Sequence, residues 1–202
     1  MKNYICINGK KVELTEEQVN QIKTSYGLQG VKLCDIPVGE TFKIGKREFV
    51  VLEQSGDTTA VILKGLLFDE KTFGSNNNFD GSNVDKDCQK FAGEIAGIIG
   101  AENLVEHTVD LTSDDGLKDY GKVKRKMSLL TAELYRRYVY ILDKFKLDKW
   151  WWLATAFSTK VHDNDRWVKC VSPSGDISGV SYYGGNGVRP FCILKSNIFV
   201  SK

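Results

Sequence analysis

The chain has 202 residues, 42% of them hydrophobic and 27% charged, and its 28 basic and 26 acidic side chains leave a net charge of +2. This composition is that of an ordinary globular protein with a sizeable core, and the near-neutral balance gives no reason to expect nucleic acid or an anionic membrane as a partner. No run approaches the roughly 20 apolar residues of a membrane-spanning helix. The start, MKNYICINGKK, lacks the apolar core of a secretory signal. We therefore expect a cytoplasmic protein, with display on a virion or cell surface by another route as the alternative.

The cysteines and histidines give no sign of a metal site. The five cysteines are scattered, and no two have the C-x-x-C spacing; they are Cys6, Cys34, Cys88, Cys170 and Cys192. Their odd number favours reduced thiols that act as small core residues. The aspartate-rich loop at residues 110–116 lacks the spacing of a calcium loop. We expect no metal and no cofactor.

The first 30 residues predict a small appendage. Residues 4–7 and 11–14 are strand-like and are joined by an Asn-Gly pair, which favours a type I′ hairpin turn. Thr15 then heads a T-E-E-Q capping box, with Gln18 reaching back to it, at the start of a helix. This unit is too small for a core of its own, so we expect it to dock on residues 31–202.

The first half of the larger domain predicts a meander and a helix. Residues 41–44, 48–52 and 58–63 are rich in β-branched and aromatic residues and are separated by Gly-containing turns. An Asn-rich loop follows, and Ser82 or Asn83 then begins a helix that Gly100 closes.

The second half predicts another helix and four strands. Thr131 begins the helix, and the basic segment at 118–126 before it reads as a solvated loop. In the Trp strand that follows, alternation predicts that Trp150 and Trp152 share one face while Trp151 faces the other. The remaining strands are predicted at 166–171, 176–182 and 188–194. The fold class is therefore α+β, with small antiparallel sheets and two main helices.

Three motifs carry a resemblance to a known family: WWWLAT at 150–155, VSPSGDIS at 171–178 and GVRPFCIL at 187–194. Together they resemble an uncharacterised family of bacterial and phage proteins with a Trp-Trp-x-Leu strand and a closing Gly-x-Arg-Pro strand. The ending is also similar to the C-type-lectin-like fold of formylglycine-generating enzymes and of the variable proteins of diversity-generating retroelements. The resemblance implies a C-type-lectin-like domain with a long irregular segment that faces a ligand.

The composition of the C-terminal third favours a recognition surface. Tyr gives rigid contact area, and Ser, Gly, Asn and Asp give adaptable hydrogen bonds. The predicted ligand-binding residues are His162, Asp163, Asn164, Asp165, Arg166, Trp167, Ser181, Tyr182, Tyr183 and Asn186. Residues 161–166 and 179–189 also lack Lys, Glu, Gln, Trp and Met, the residues that retroelement mutagenesis cannot create. An ordinary polar loop is the alternative interpretation. We assign structural roles to Trp150, Trp152, Arg189 and Pro190, with the Arg189 guanidinium buried against a carboxylate or carbonyls.

We expect no catalytic residue. Cys170 and Cys192 would face each other on neighbouring strands, but each stands where an inward apolar residue belongs. His162 with Asp163 and Asp165 is more typical of a solvated turn than of an acid–base or metal cluster. The leading hypothesis is a non-enzymatic module that binds a protein or glycan. The alternative is a cytoplasmic phage or mobile-element accessory protein that modulates a host factor through its N-terminal hairpin and helix.

Overall fold

The computed structural model describes residues 3–7, 10–19 and 30–202, with side chains from residue 12 onward. Its strands are β1 (Asn3–Ile7), β2 (Lys10–Leu14), β3 (Val31–Lys32), β4 (Thr41–Ile44), β5 (Arg47–Ser55), β6 (Thr58–Leu63), β7 (Phe68–Thr72), β8 (Leu104–Val105), β9 (His107–Asp110), β10 (Lys122–Arg125), β11 (Met127–Ser128), β12 (Trp151–Ala156), β13 (Trp167–Val171), β14 (Ile177–Ser181), β15 (Gly185–Val188), β16 (Phe191–Lys195) and β17 (Phe199–Val200). Its two long helices are α1 (Asn83–Ile99) and α2 (Ala132–Leu142). The predicted α+β class is confirmed. No helix in the described ranges is long and apolar enough to cross a membrane.

The N-terminal hairpin forms as predicted. Strands β1 and β2 pair antiparallel, with Ile7 opposite Lys10. The Thr15 N–H donates to Gln18 Oε1 at 2.9 Å, and the Gln18 N–H donates to Thr15 Oγ1 at 3.2 Å, which confirms the capping box. The Asn-Gly turn and the predicted helix beyond residue 19 lie outside the described residues.

Two sheets carry the larger domain. One has the strand order β11-β16-β6-β5-β4, with β8 also paired to β16, and the other has the order β14-β13-β12-β15-β7. Pairing is antiparallel except between β12 and β15, which run parallel. The predicted meander is the β4-β5-β6 part of the first sheet.

The two helices pack against different cores. Helix α1 begins at Ser82, whose Oγ accepts the Asp85 N–H at 3.1 Å, and helix α2 begins at Thr131, so both predicted caps are confirmed. Alternate residues of the central strands enter opposite cores, because side chains alternate across a strand. The core with α1 includes Val51, Val61, Trp152, Cys170 and Cys192. The core with α2 includes Val50, Leu52, Ile62, Trp151 and Val171.

The Trp strand corrects one prediction. Trp151 and Trp152 are both buried, on opposite faces, whereas Trp150 precedes β12 and is 39% exposed. The predicted opposition of Trp151 and Trp152 is confirmed, whereas Trp150 lies outside the strand, because β12 starts one residue later than the pattern suggests. Trp152 keeps its structural role, and its indole N–H donates to the Lys71 carbonyl at 2.7 Å.

Three further predictions are wrong. The strand expected at 188–194 is divided at Arg189 and Pro190, so that β15 belongs to the second sheet and β16 to the first. The basic segment at 118–126 is not all loop, since its second part forms β10 against β9. Cys34 is exposed rather than part of the core, while Cys88, Cys170 and Cys192 are buried.

Candidate binding surface

The antiparallel pairing of β13 with β14 brings the two predicted recognition segments together. Trp167 lies opposite Ser181, and just beyond the ladder the Tyr182 N–H donates to the Arg166 carbonyl at 2.9 Å. The loop before β13 and the turn after β14 therefore emerge side by side at the same end of the sheet.

An exposed arginine stacks between two exposed aromatic rings at this end. The Arg166 guanidinium carbon lies 4.9 Å from the centroid of the Tyr183 ring and 5.6 Å from that of Trp167. Tyr183 is 54% exposed and Trp167 40%. We call Arg166, Trp167 and Tyr183 the Arg-aromatic cluster. Cation–π contacts order the cluster, and so does the Tyr182 ring, which packs at 86° to the Tyr183 ring with the two centroids 5.4 Å apart.

A buried asparagine from the Asn-rich loop holds the cluster's loop in place. Asn77 Nδ2 donates to the carbonyls of Ser158 at 2.8 Å and Trp167 at 3.0 Å, and the Asn77 N–H donates to the Asp165 carbonyl at 3.2 Å. Its Oδ1 accepts the Tyr120 hydroxyl at 2.6 Å. Asn77 thus donates to three backbone carbonyls of the irregular loop from a distant part of the chain.

Nothing in the local sequence distinguishes Asn77 from its neighbours, and it was not among the predicted site residues. Its neighbours Asn76 and Asn78 accept N–H groups two residues further along the chain, as the turn-forming pattern predicts. One inward-facing Asn among three has no distinguishing local signal, because its partners lie some 80 to 90 residues away.

His162 belongs to a carboxylate-centred network. Asp115 Oδ2 accepts both the Ser158 hydroxyl at 2.6 Å and His162 Nδ1 at 3.0 Å, and Oδ1 accepts the Ser113 hydroxyl at 2.5 Å. The hydroxyls of Ser113 and Ser158, followed by His162, lower the pKa of Asp115 to about 2. The carboxylate lies between the serine and the histidine, so His162 is not placed to take a proton from Ser158. The network orders the loop before β13.

The predicted ligand-binding residues divide by exposure. His162, Asp163, Arg166, Trp167 and Tyr183 are exposed, whereas Asn164, Asp165 and Tyr182 are half-buried.

Ser181 and Asn186 are buried and cannot contact a ligand as the sequence analysis predicted. Ser181 ends β14, and Asn186 lies in β15 opposite Lys71. Only residues 182–184 therefore form the turn between these strands.

Arg189 and Pro190 lie where the chain crosses from one sheet to the other. Arg189 is 1% exposed, and its guanidinium donates to the carbonyls of Leu63, Lys64 and Phe145 at 2.9, 2.9 and 3.3 Å. The Pro190 carbonyl accepts the Leu63 N–H at 2.9 Å. Arg189 therefore ties this crossing to residues 63–64, where β6 leads back towards the second sheet.

The thiols expected to be structural are not placed for chemistry. Cys170 and Cys192 belong to different sheets rather than neighbouring strands, and burial raises the pKa of the Cys170 thiol to about 12 and that of Cys192 further. Within the described residues, no three His, Cys, Asp or Glu side chains form a group that could hold a metal ion.

Comparison with family models, curated proteins and solved structures returned no match.

Proposed function

We propose that the chain is a non-enzymatic binding module that captures a protein on its Arg-aromatic cluster, with a C-type-lectin-like domain as the scaffold. The observation that carries the proposal is the stacking of Arg166 between the exposed rings of Trp167 and Tyr183. Trp, Tyr and Arg are the residues that most often dominate protein–protein binding energy.

The ordering of the cluster supports the same function. Recognition costs less free energy when the contacting side chains and loops are ordered before binding. Asn77 and Asp115 hold the loop before β13 from two distant parts of the chain. The two helices and small sheets support the C-type-lectin-like scaffold, as do the WWWLAT and GVRP motifs.

A selection experiment tests the proposal. The full chain is immobilised and used to select peptides from a random display library, with a glycan array probed in parallel. We expect selected peptides to bind the Tyr183→Ala variant about 30-fold more weakly, the effect of losing about 2 kcal/mol at a hot spot.

The matched control is Tyr140→Ala. Tyr140 is 88% exposed on α2, and its replacement by alanine should leave peptide binding unchanged. Equal peptide binding by the wild-type chain and Tyr183→Ala would contradict the proposed surface. Selection of glycans instead of peptides would contradict the choice of a protein ligand.

A further inference from the structure

A cleft of about 500 Å³ lies where the chain crosses between the two sheets, away from the residues of the Arg-aromatic cluster. Three segments line it: the turn from β4 to β5, the connection from β6 to β7, and the chain after α2. The charged residues among them are Lys46, Arg47, Glu48, Lys64, Lys144 and Lys146. A cavity of this volume is typical of sites for small molecules.

The charge of the lining is strongly one-sided. Five lining side chains are cationic and one, Glu48, is anionic; one of the five cations, Lys146, is paired with Asp143 at 3.2 Å. Glu48 is already paired, since its Oε1 lies 3.0 Å from Lys64 Nζ, and this hydrogen bond lowers the pKa of Glu48. In the part of the chain that the structure describes, Lys46 and Lys144 have no carboxylate within ion-pair distance. The net charge of the whole chain is only +2, so the cleft concentrates positive charge.

The buried Arg189 adds a second and independent observation. All three groups that accept its hydrogen bonds are backbone carbonyls, and they belong to Leu63, Lys64 and Phe145, which line the cleft. Among the described residues, no carboxylate lies within ion-pair distance of this guanidinium, and its burial lowers its pKa to about 10. Buried charges are ordinarily paired with an opposite charge. Arg189 therefore adds positive charge directly behind the cleft wall at Leu63, Lys64 and Phe145, and an anion in the cleft would lie in the field of this charge and of Lys46 and Lys144.

We propose that this cleft binds a small ligand through two or more linked phosphate groups. Cations from three separate segments converge on the cleft, which suits a multiply charged group better than a single carboxylate. A small ligand is favoured over a nucleic acid because a nucleic-acid site needs a basic stripe along the surface, and these cations are grouped around one cleft. The site is separate from the proposed protein-binding surface and does not depend on it.

The test measures binding of inorganic pyrophosphate to the full chain by calorimetry, at low and at physiological salt. The site variant is K46Q/K144Q, and the matched control is K90Q/K118Q, which removes two exposed lysines outside the cleft. We expect the site variant to bind pyrophosphate at least about tenfold more weakly, because each lost charged hydrogen bond contributes about that factor. The control should stay within about twofold of the wild-type chain, since screening limits the influence of distant surface charges.

Thermal unfolding provides a second measurement. Pyrophosphate should raise the Tm of the wild-type chain and of the control but not of K46Q/K144Q, since only a ligand of the folded state stabilises it. Without ligand, all three chains should unfold at similar temperatures because these lysines are exposed.

Three results would overturn the proposal. One is the absence of pyrophosphate binding at millimolar concentration, and another is an equal loss of binding in both double variants. The third is tighter, lysine-dependent binding of a single-stranded oligonucleotide than of pyrophosphate, which would assign the cleft to an extended polyanion.

Discussion

Replacing Arg125 with alanine should destabilise the fold strongly, because it breaks an ion pair with a buried carboxylate. Arg125 lies at the end of β10, and it binds the buried carboxylate of Asp85 with both ends of its guanidinium fork. Its Nε donates to Asp85 Oδ1 at 2.8 Å and its Nη2 to Asp85 Oδ2 at 2.7 Å, while Nη2 also donates to Asp80. The pair joins the first turn of α1 to a strand some 40 residues away.

The expected cost follows from the burial of Asp85. Removing one partner of a buried ion pair typically costs about 3–5 kcal/mol because it leaves an uncompensated charge. The Arg125 side chain is 20% exposed, so water can reach the vacated position, and the Gly81 N–H and Gln89 Nε2 continue to donate to Asp85. We therefore expect the lower end, about 3 kcal/mol, which corresponds to a fall in Tm of about 6–12 °C for a chain of this size.

Urea unfolding of a double-mutant cycle measures this cost. The cycle compares Arg125→Ala, Asp85→Asn and the double variant with the wild-type chain. Asp85→Asn removes the carboxylate charge that Arg125→Ala would leave unpaired. In a chain that already carries Asp85→Asn, Arg125→Ala should therefore lower the free energy of unfolding by at least about 1 kcal/mol less than it does in the wild-type chain. A loss below about 1 kcal/mol in the single variant, or an equal loss in both backgrounds, would refute the reasoning.

Three further predictions concern polar groups that are buried or half-buried. Arg189→Met should lower the free energy of unfolding, measured in urea, by about 3 kcal/mol, because three carbonyls each lose a hydrogen bond that contributes about 1 kcal/mol. A loss below about 1 kcal/mol would contradict the structural role assigned to Arg189. Burial lowers the pKa of His107 from 6.5 to about 4, so the unfolded chain takes up this proton first as the pH falls. The free energy of unfolding should therefore fall by up to about 3 kcal/mol between pH 6.5 and pH 4, and a His107→Gln variant that shows the same fall would contradict this cause. Asn77→Ala should speed amide hydrogen exchange in residues 157–167, whereas Asn76→Ala, which alters only a local turn, should not; equal exchange in both would show that Asn77 does not hold the loop.

Local signals account for the elements that were predicted correctly. The caps at Ser82 and Thr131 each involve a side chain and a backbone N–H three residues apart. They can therefore be recognised from a short stretch of sequence. The β4-β5-β6 meander follows from strand residues and turns that are adjacent along the chain. The start of the Trp strand was misplaced by one residue, because three consecutive tryptophans give no change in residue type that would mark the first residue of the strand.

The candidate site was only partly predictable for the same reason. Polar composition pointed to Arg166, Trp167 and Tyr183, which are exposed and stacked, but it pointed equally to Ser181 and Asn186, which are buried. Their burial depends on strand pairing, and composition does not contain that information. Pairing of β15 with β7 requires residues more than 110 positions apart to meet.

The α+β class, the two capped helices, the N-terminal hairpin and the polar character of the C-terminal loops can all be predicted from local sequence patterns. The change of sheet at Arg189 and Pro190, the contact of Asn77 with a distant loop, and the grouping of lysines from three segments around one cleft become visible only in the folded chain. The two groups of features differ in the range of the interactions that produce them. Caps and turns act over a few residues, whereas sheet order, burial and the convergence of charge depend on contacts between segments that are far apart in the chain.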